Sequence, residues 1–200
     1  MKLYYKAGAC SLASHIVLKE LGLPFETESV DLVHKTTAAG ADFNAINPKG
    51  YVPALALDDG TVITEGTAIL QYLGHLKPEA GLAPEYGSPE HYRLLEWLGY
   101  INSELHKNFG PLFDPKAPDV LKTRAKTLLA KRLAYTDGVL AGRPYLLGAS
   151  FGVADTYLYT VLTWAPHVGV DLASYPHLVD FVARIAARPS VIAAEAAERA

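Results

Sequence analysis

The sequence predicts two units of different class. Residues 1–77 read as an α/β unit with the order strand, helix, strand, loop, strand, strand, helix, and residues 89–200 read as an all-helical bundle. Three observations carry this. Strand-like and helical patterns alternate through the first 76 residues. A stretch holding Pro78, Gly81, Pro84, Gly87 and Ser88 reads as a linker over 78–88. Beyond Pro89, apolar residues recur almost everywhere at helical spacing.

Each element has its own signal. Residues 2–5 form a short apolar strand. Residues 11–21 are helical, with Leu12, Ile16, Val17, Leu18 and Leu21 near the helical period, and Gly22 and Pro24 supply stop signals. Residues 25–30 read as a second strand whose Glu26 and Glu28 face solvent. The polar stretch from about 31 to 47 is expected to be a loop or a weakly formed helix. Pro53 opens an alternating run over 54–57; lacking an amide for a sheet ladder, it belongs at a strand start or an edge. Asp58-Asp59-Gly60 reads as a hairpin turn into Thr61-Val62-Ile63, and a helix over 66–76 closes the unit. This order gives a parallel pair plus a hairpin in one mixed sheet. In the second unit Leu94, Leu98, Ile101, Leu105, Phe109 and Leu112 make one continuous apolar face, and Leu121, Ala125, Leu128, Leu129, Leu133 and Leu140 a second. Residues 157–168, 178–185 and 191–197 supply three more helices. No internal repeat is visible.

Bulk properties narrow the function. With half its 200 residues hydrophobic and a fifth charged, the chain is an ordinary globular protein, long enough for a real core. A net charge of −3, a pI near 6.1 and scattered Lys and Arg give no reason to expect a nucleic acid or an anionic membrane as partner. One cysteine excludes an intramolecular disulfide framework and fits a reducing, cytoplasmic compartment. A strand at residues 2–5 with no cationic flank before it argues against a signal peptide, and no apolar run reaches membrane-spanning length. The seven histidines include no pair at i, i+4, so no metal is expected. Gly148-Ala149-Ser150-Phe151-Gly152, followed by Asp155 and His167, matches a serine-hydrolase elbow in letters. The surrounding hundred residues, however, offer no parallel sheet to carry such an elbow.

The chemistry gathers at two places. Cys10 sits directly before the helix that starts at Ser11, where orphan N–H groups and the positive end of the dipole favour a thiolate; the plain alternative is a small buried hydrophobe. The sequence Cys10-Ser11-Leu12-Ala13 lacks a resolving cysteine, so a mixed disulfide is open to this thiol and an internal bridge is not. The second place is Asn47-Pro48-Lys49-Gly50-Tyr51-Val52-Pro53-Ala54-Leu55, followed by Thr64-Glu65-Gly66. A cis Val52–Pro53 bond would turn the Val52 amide and carbonyl outward as an edge for an extended peptide. An edge that pairs with a peptide backbone, beside a helix N-terminus that binds an anion at Glu65-Gly66, describes a glutathione pocket.

With Tyr4-Tyr5, Gly8-Ala9-Cys10-Ser11-Leu12, Trp97-Leu98, Ser103-Glu104-Leu105-His106-Lys107, Pro111-Leu112-Phe113 and Phe151-Gly152-Val153-Ala154-Asp155, essentially the whole chain resembles the glutathione S-transferases, above all the bacterial beta class with its cysteine. The resemblance implies a thioredoxin-like N-terminal domain, a helical C-terminal domain that contributes the electrophile site, and a homodimer. It implies that Cys10 faces the glutathione sulfur with Tyr5 and Ser11 nearby, Tyr5 ranking behind Cys10. Lys35 would meet the glycine carboxylate, Val52 and Pro53 would present the pairing edge, and Glu65 and Gly66 would hold the γ-glutamyl end. Gly99, Ser103 and His106 fall at i, i+4, i+7 and so share a helix face in the Ser103-Glu104-Leu105-His106 run that lines the family's site. His106 would donate a hydrogen bond to the sulfur, and Glu104 would reach the glutathione of a second subunit. The implied activity joins the glutathione thiolate to a hydrophobic, soft electrophile. Candidate wall residues are Tyr100, Asn108, Phe109, Phe113, Tyr159 and Trp164, and thiol–disulfide exchange through Cys10 is a possible addition. The rival is a non-catalytic glutathione- or partner-binding protein of the same fold. Two departures stand out. Gly99 replaces an Asn common in relatives, and Gly152 replaces the Ser or Thr of a capping box whose other half is Asp155.

Overall fold

The computed structural model of the protein describes residues 1–199. They divide into two compact units, residues 1–80 with 187–199, and residues 81–186.

In the first unit, strands β1 (Lys2–Tyr5), β2 (Glu26–Asp31), β3 (Thr36–Thr37), β4 (Ala54–Ala56) and β5 (Val62–Thr64) form one mixed sheet in the order β3-β2-β1-β4-β5. β1 and β2 are parallel, while β1–β4, β4–β5 and β2–β3 are antiparallel. Register sets the two faces. Leu3 lies opposite Leu55, both fully buried, on the face that receives helices α1 (Ser11–Leu21) and α3 (Gly66–Leu76) through Ile16, Val17, Ile69 and Leu73. Tyr4, Val30, Val52 and Ala54 pack with Phe43 in a second cluster. Phe43 belongs to a one-turn helix, α2 (Phe43–Ile46), capped by the Asp42 carboxylate. The polar stretch expected to be a loop or a weakly formed helix contains the short helix α2 and, beyond that expectation, β3. Each is too short for hydrophobic periodicity to reveal.

The terminal helix α9 (Pro189–Arg199) belongs to this unit and packs on α1. The sequence boundary instead assigns all residues after 88 to the helical domain. Long-range polar contacts explain the difference. The Glu198 carboxylate binds His15 Nδ1 at 3.1 Å through one oxygen and accepts the Gly8 N–H at 3.0 Å through the other. Arg188 also donates to Glu20.

The second unit holds α4 (Pro89–Tyr100), a π-helical turn over Ile101–His106, α5 (Lys107–Phe113), α6 (Asp119–Leu140), α7 (Val153–Leu162) and α8 (Pro176–Ala186). Leu94, Leu98, Ile101, Leu105, Phe109, Leu129, Leu133, Leu158 and Phe181 fill its core. The π turn interrupts the face expected to be continuously α-helical. It therefore changes the angular relation of Gly99, Ser103 and His106 assumed from helical spacing. Ser150 lies in an exposed bend before α7, not on a strand-to-helix elbow. Asp155 is buried and accepts from the Gly152 N–H at 2.8 Å and the Leu146 N–H at 2.9 Å, which makes it a structural cap. Gly152 itself has an extended backbone; what requires glycine is space. A Cβ there would lie 2.8 Å from the Leu82 carbonyl oxygen, which the Val153 N–H approaches at 3.0 Å. At Gly99, by contrast, a Cβ meets nothing within 4 Å.

Among the described residues, no helix is long and apolar enough to cross a membrane.

Candidate active site

The loop between β1 and α1 is built to hold Cys10 in place. The Ser11 hydroxyl is buried, donates to the Lys6 carbonyl and accepts the Lys6 N–H, both at 3.2 Å, so it shapes the loop. Gly8, at φ +70°, turns the chain and delivers its N–H to Glu198. Tyr5 points its ring at His15, with centroids 5.9 Å apart, which makes it a packing aromatic of α1. Cys10 then stands at the N-cap of α1, and its Sγ–H donates to the Val52 carbonyl at 3.3 Å.

Burial pushes the Cys10 thiol up to about 11. Backbone N–H groups at Cys10 and Ser11 act against this shift, and the charge of Glu65 adds to it. The expected preference for thiolate at a helix end is therefore reversed, because desolvation outweighs the orphan N–H groups. In the resting protein Cys10 is a hydrogen-bond donor.

The segment 49–53 is where the other predicted residues of this unit meet. Val52–Pro53 is cis, as expected. Lys35 reaches the Gly50 carbonyl through Nζ at 2.8 Å and lies 5.5 Å from the Tyr51 ring centre. Glu65 pairs with Lys49 at 2.7 Å, and Gly66 packs beside Pro53. Gly66 opens α3, whose N-terminus receives no side-chain cap. Among the described residues, Lys35 (φ +56°) and Glu65 (φ +71°) are the non-glycine residues with left-handed φ, a conformation that costs of order 1–3 kcal/mol and concentrates at ligand sites. Sequence reasoning missed two supports of this segment. Asn47, almost fully buried, donates to the Tyr51 carbonyl at 2.7 Å and accepts the Lys49 N–H at 3.2 Å. Lys49 also holds Thr64 at 3.0 Å. The Asn-Pro pair at 47–48 was the available signal for a turn built on Asn47.

In the second unit, Gly99 and Ser103 are exposed and Leu105 is fully buried. Glu104 accepts from Arg132 Nε at 2.6 Å. His106 Nδ1 lies 2.7 Å from the Tyr157 hydroxyl, and the ring meets Trp164 edge-on with centroids 4.8 Å apart. Burial lowers its pKa to about 4, so the imidazole is neutral at physiological pH. Trp164 also receives Phe109 at 5.8 Å and Phe113 at 5.9 Å. Of the expected wall residues, Phe109, Tyr159 and Trp164 are buried and Phe113 is exposed. Tyr100 donates to the Arg132 carbonyl at 3.1 Å, and Asn108 to the Glu104 carbonyl at 2.8 Å. Tyr157, 51 residues from His106, carries no local sequence signal for its contact. No group of three or more His, Cys, Asp and Glu residues among the described ones is placed to hold a metal ion.

Residues 7–76 match the model of the glutathione S-transferase N-terminal domain, and residues 97–189 that of the glutathione S-transferase C-terminal domain. The chain is 48% identical over 198 residues to glutathione S-transferase GstA of Escherichia coli O157:H7, covering 99% of this chain and 98% of that one. A sphingomonad glutathione S-transferase solved in complex with glutathione superposes with a TM-score of 0.96 at 49% identity, covering 100% of this chain and 99% of the other. A beta-class glutathione S-transferase from Sphingomonas chungbukensis gives a TM-score of 0.96 at 46% identity, covering 99% and 98%. Taken with the thioredoxin-like sheet, the helical second unit and the cysteine at the head of α1, these likenesses show that the chain belongs to the glutathione S-transferase family, is of the bacterial beta class, and is a glutathione transferase with glutathione as co-substrate.

Proposed function

We propose that the segment 49–53 and the residues around it form the glutathione site, and that the enzyme conjugates glutathione to hydrophobic, soft electrophiles. Glutathione carries two carboxylates and one ammonium group, so its site needs cationic and anionic groups at opposite ends. Lys35 takes the glycine carboxylate, the Val52 backbone pairs with the cysteinyl unit, and Glu65 with the Gly66 amide takes the γ-glutamyl end. Cys10, which the family likeness sets facing the glutathione sulfur, stands at the head of α1 beside the Val52 edge. Ser103 and Glu104 line the run that carries His106. A homodimer acting in the cytoplasm completes the reading.

The observation that carries it is the coincidence of backbone and charge. The chain tolerates left-handed φ without glycine at Lys35 and Glu65, the two charged residues that the family likeness assigns to opposite ends of the peptide. The raised Cys10 thiol favours conjugation over disulfide exchange, since the resting protein holds almost no Cys10 thiolate at neutral pH. The test combines calorimetry of glutathione binding with turnover of a chlorinated aromatic, a reactive dehalogenation intermediate and a glutathione mixed disulfide. Binding weakened by Lys35→Ala and Glu65→Ala, with turnover of the chlorinated aromatic, is the expected result. Binding without turnover of any of the three would favour the non-catalytic reading.

A further inference from the structure

An exposed tyrosine in the segment 49–53 has a partner that no local sequence pattern announces. The Tyr51 ring centre lies 5.5 Å from the ammonium of Lys35, a residue of the β2–β3 connection. The same ammonium donates to the Gly50 carbonyl at 2.8 Å. Gly50 is buried at φ +67°, and a Cβ there would stand 3.4 Å from both Cε and Nζ of Lys35. The backbone that carries the ring is fixed as well. Asn47 donates to the Tyr51 carbonyl at 2.7 Å, and the Asn47 carbonyl accepts the Gly50 N–H at 2.8 Å.

The charge of Lys35 is held without being balanced. Lys49 close by gives its ammonium to the Glu65 carboxylate, whereas the partners of the Lys35 ammonium are a carbonyl and an aromatic face. A lysine ammonium is a compact, strongly hydrated charge with three N–H groups on a flexible stem. The Gly50 carbonyl takes one of them. The ring attracts the cation, displaces part of its water and restricts the stem. An arriving carboxylate therefore meets a cation that is already ordered, which lowers the cost of binding. A neutral carboxamide gains less from the same cation, because hydrogen bonds between two ionised groups are the stronger ones.

We propose that Tyr51 is a positioning residue for Lys35 and sets the selectivity of the site at the glycine end of the peptide. Its ring, with the Gly50 carbonyl, holds the ammonium ready for a terminal carboxylate. The site then favours glutathione with a free glycine carboxylate over the same peptide amidated at that end. The proposal rests on the reading that Lys35 takes the glycine carboxylate, and it names the residue that governs this contact. The hydroxyl of Tyr51 has no part in it; the aromatic face is what acts.

Calorimetry at neutral pH with S-methylglutathione and its glycine amide tests this, since neither ligand has a thiol to titrate. Wild type should bind the acid roughly ten-fold or more tightly than the amide. Tyr51 is 70% exposed, so its replacement leaves the core untouched. Tyr51→Leu should narrow the preference roughly two- to five-fold, the size of an exposed cation–π contact, by weakening the acid alone. Tyr51→Phe keeps the ring and should restore it. Lys35→Met should abolish the preference, and adding Tyr51→Leu to it should change nothing further. In the ligand-free protein the Lys35 ε-methylene resonance should lose its ring-current shift in Tyr51→Leu and keep it in Tyr51→Phe. A preference untouched by Tyr51→Leu would overturn the proposal. Equal losses for acid and amide would overturn it too, and would make Tyr51 a support of the Val52 edge. A preference that survives Lys35→Met would instead overturn the assignment of Lys35 to the glycine carboxylate, and the proposal with it.

Discussion

Alkylation of Cys10 as a function of pH is the sharpest test of how burial and helix end compete at this site. A thiol titrating at about 11 instead of 9.0 carries about a hundred-fold less thiolate at any pH well below both values. Thiolates of higher pKa are intrinsically better nucleophiles, and a Brønsted slope near 0.45 returns about eight-fold of that loss. The net expectation is that iodoacetamide modifies Cys10 about ten-fold more slowly than an unstructured cysteine at pH 7.5. Its rate should climb close to ten-fold per pH unit without a plateau until beyond pH 10. The chain has one cysteine, so intact mass reports this site without interference. The glutathionyl adduct formed from oxidised glutathione should follow the same pH profile, reverse with reductant and vanish in Cys10→Ala. A rate that levels off below pH 8 would refute the reasoning, because it would mean that the α1 amides outweigh desolvation and that the thiol does not rest on Val52.

Three further outcomes are expected. Gly152→Ser should lower Tm by roughly 3–10 °C, because its Cβ cannot sit 2.8 Å from the Leu82 carbonyl and the regained cap is smaller than the clash; Gly99→Ala, in open space, should raise stability by up to ~1 kcal/mol in the same melts, and equal shifts at the two sites would contradict the packing argument. Glu65→Gly should relieve the left-handed backbone and leave unfolding free energy unchanged or up to ~1 kcal/mol higher, since the exposed pair with Lys49 contributes little, while glutathione affinity falls at least ten-fold; lost stability with intact affinity would make Glu65 a structural residue. His106 is neutral in the folded protein down to about pH 4 but charges near 6.5 when unfolded, so its contribution is full above pH 6.5 and disappears as pH falls to 4. Wild type should therefore lose up to about 3 kcal/mol more than His106→Gln over that interval in denaturant titrations, and parallel curves would place His106 in water.

Much of the first unit is legible because its signals are local. Gly22 after an apolar period, Pro53 before a short strand, Asp58-Asp59-Gly60 at the hairpin and Glu65-Gly66 at the start of α3 each act within a few residues. What escaped depends on distance. Whether Cys10 is a thiolate turns on burial and on a carbonyl 42 residues away, and a helix-end rule cannot weigh either. The π turn hides because Leu98, Ile101, Leu105 and Phe109 fit an α pattern closely enough to mask the extra residue in the ladder. Lys35 was placed only by family likeness, since nothing around it in sequence announces a left-handed lysine.

The packing of α9 on α1 also constrains the order in which the chain can mature. Glu198 is the partner of buried His15 and of the Gly8 amide, yet it leaves the ribosome after the roughly one hundred residues of the second unit. Glu198 follows the end of α1 by about 180 residues, at common synthesis rates a wait of about 9–35 s, during which the newly made β1–α1 segment has an imidazole with no carboxylate and an uncovered helix face. The helical unit is complete before its predecessor is. A nascent chain stalled before residue 189 should thus present a finished second unit behind an unfinished first one, with the Cys10 loop unpinned and open to thiol reagents until the last helix arrives.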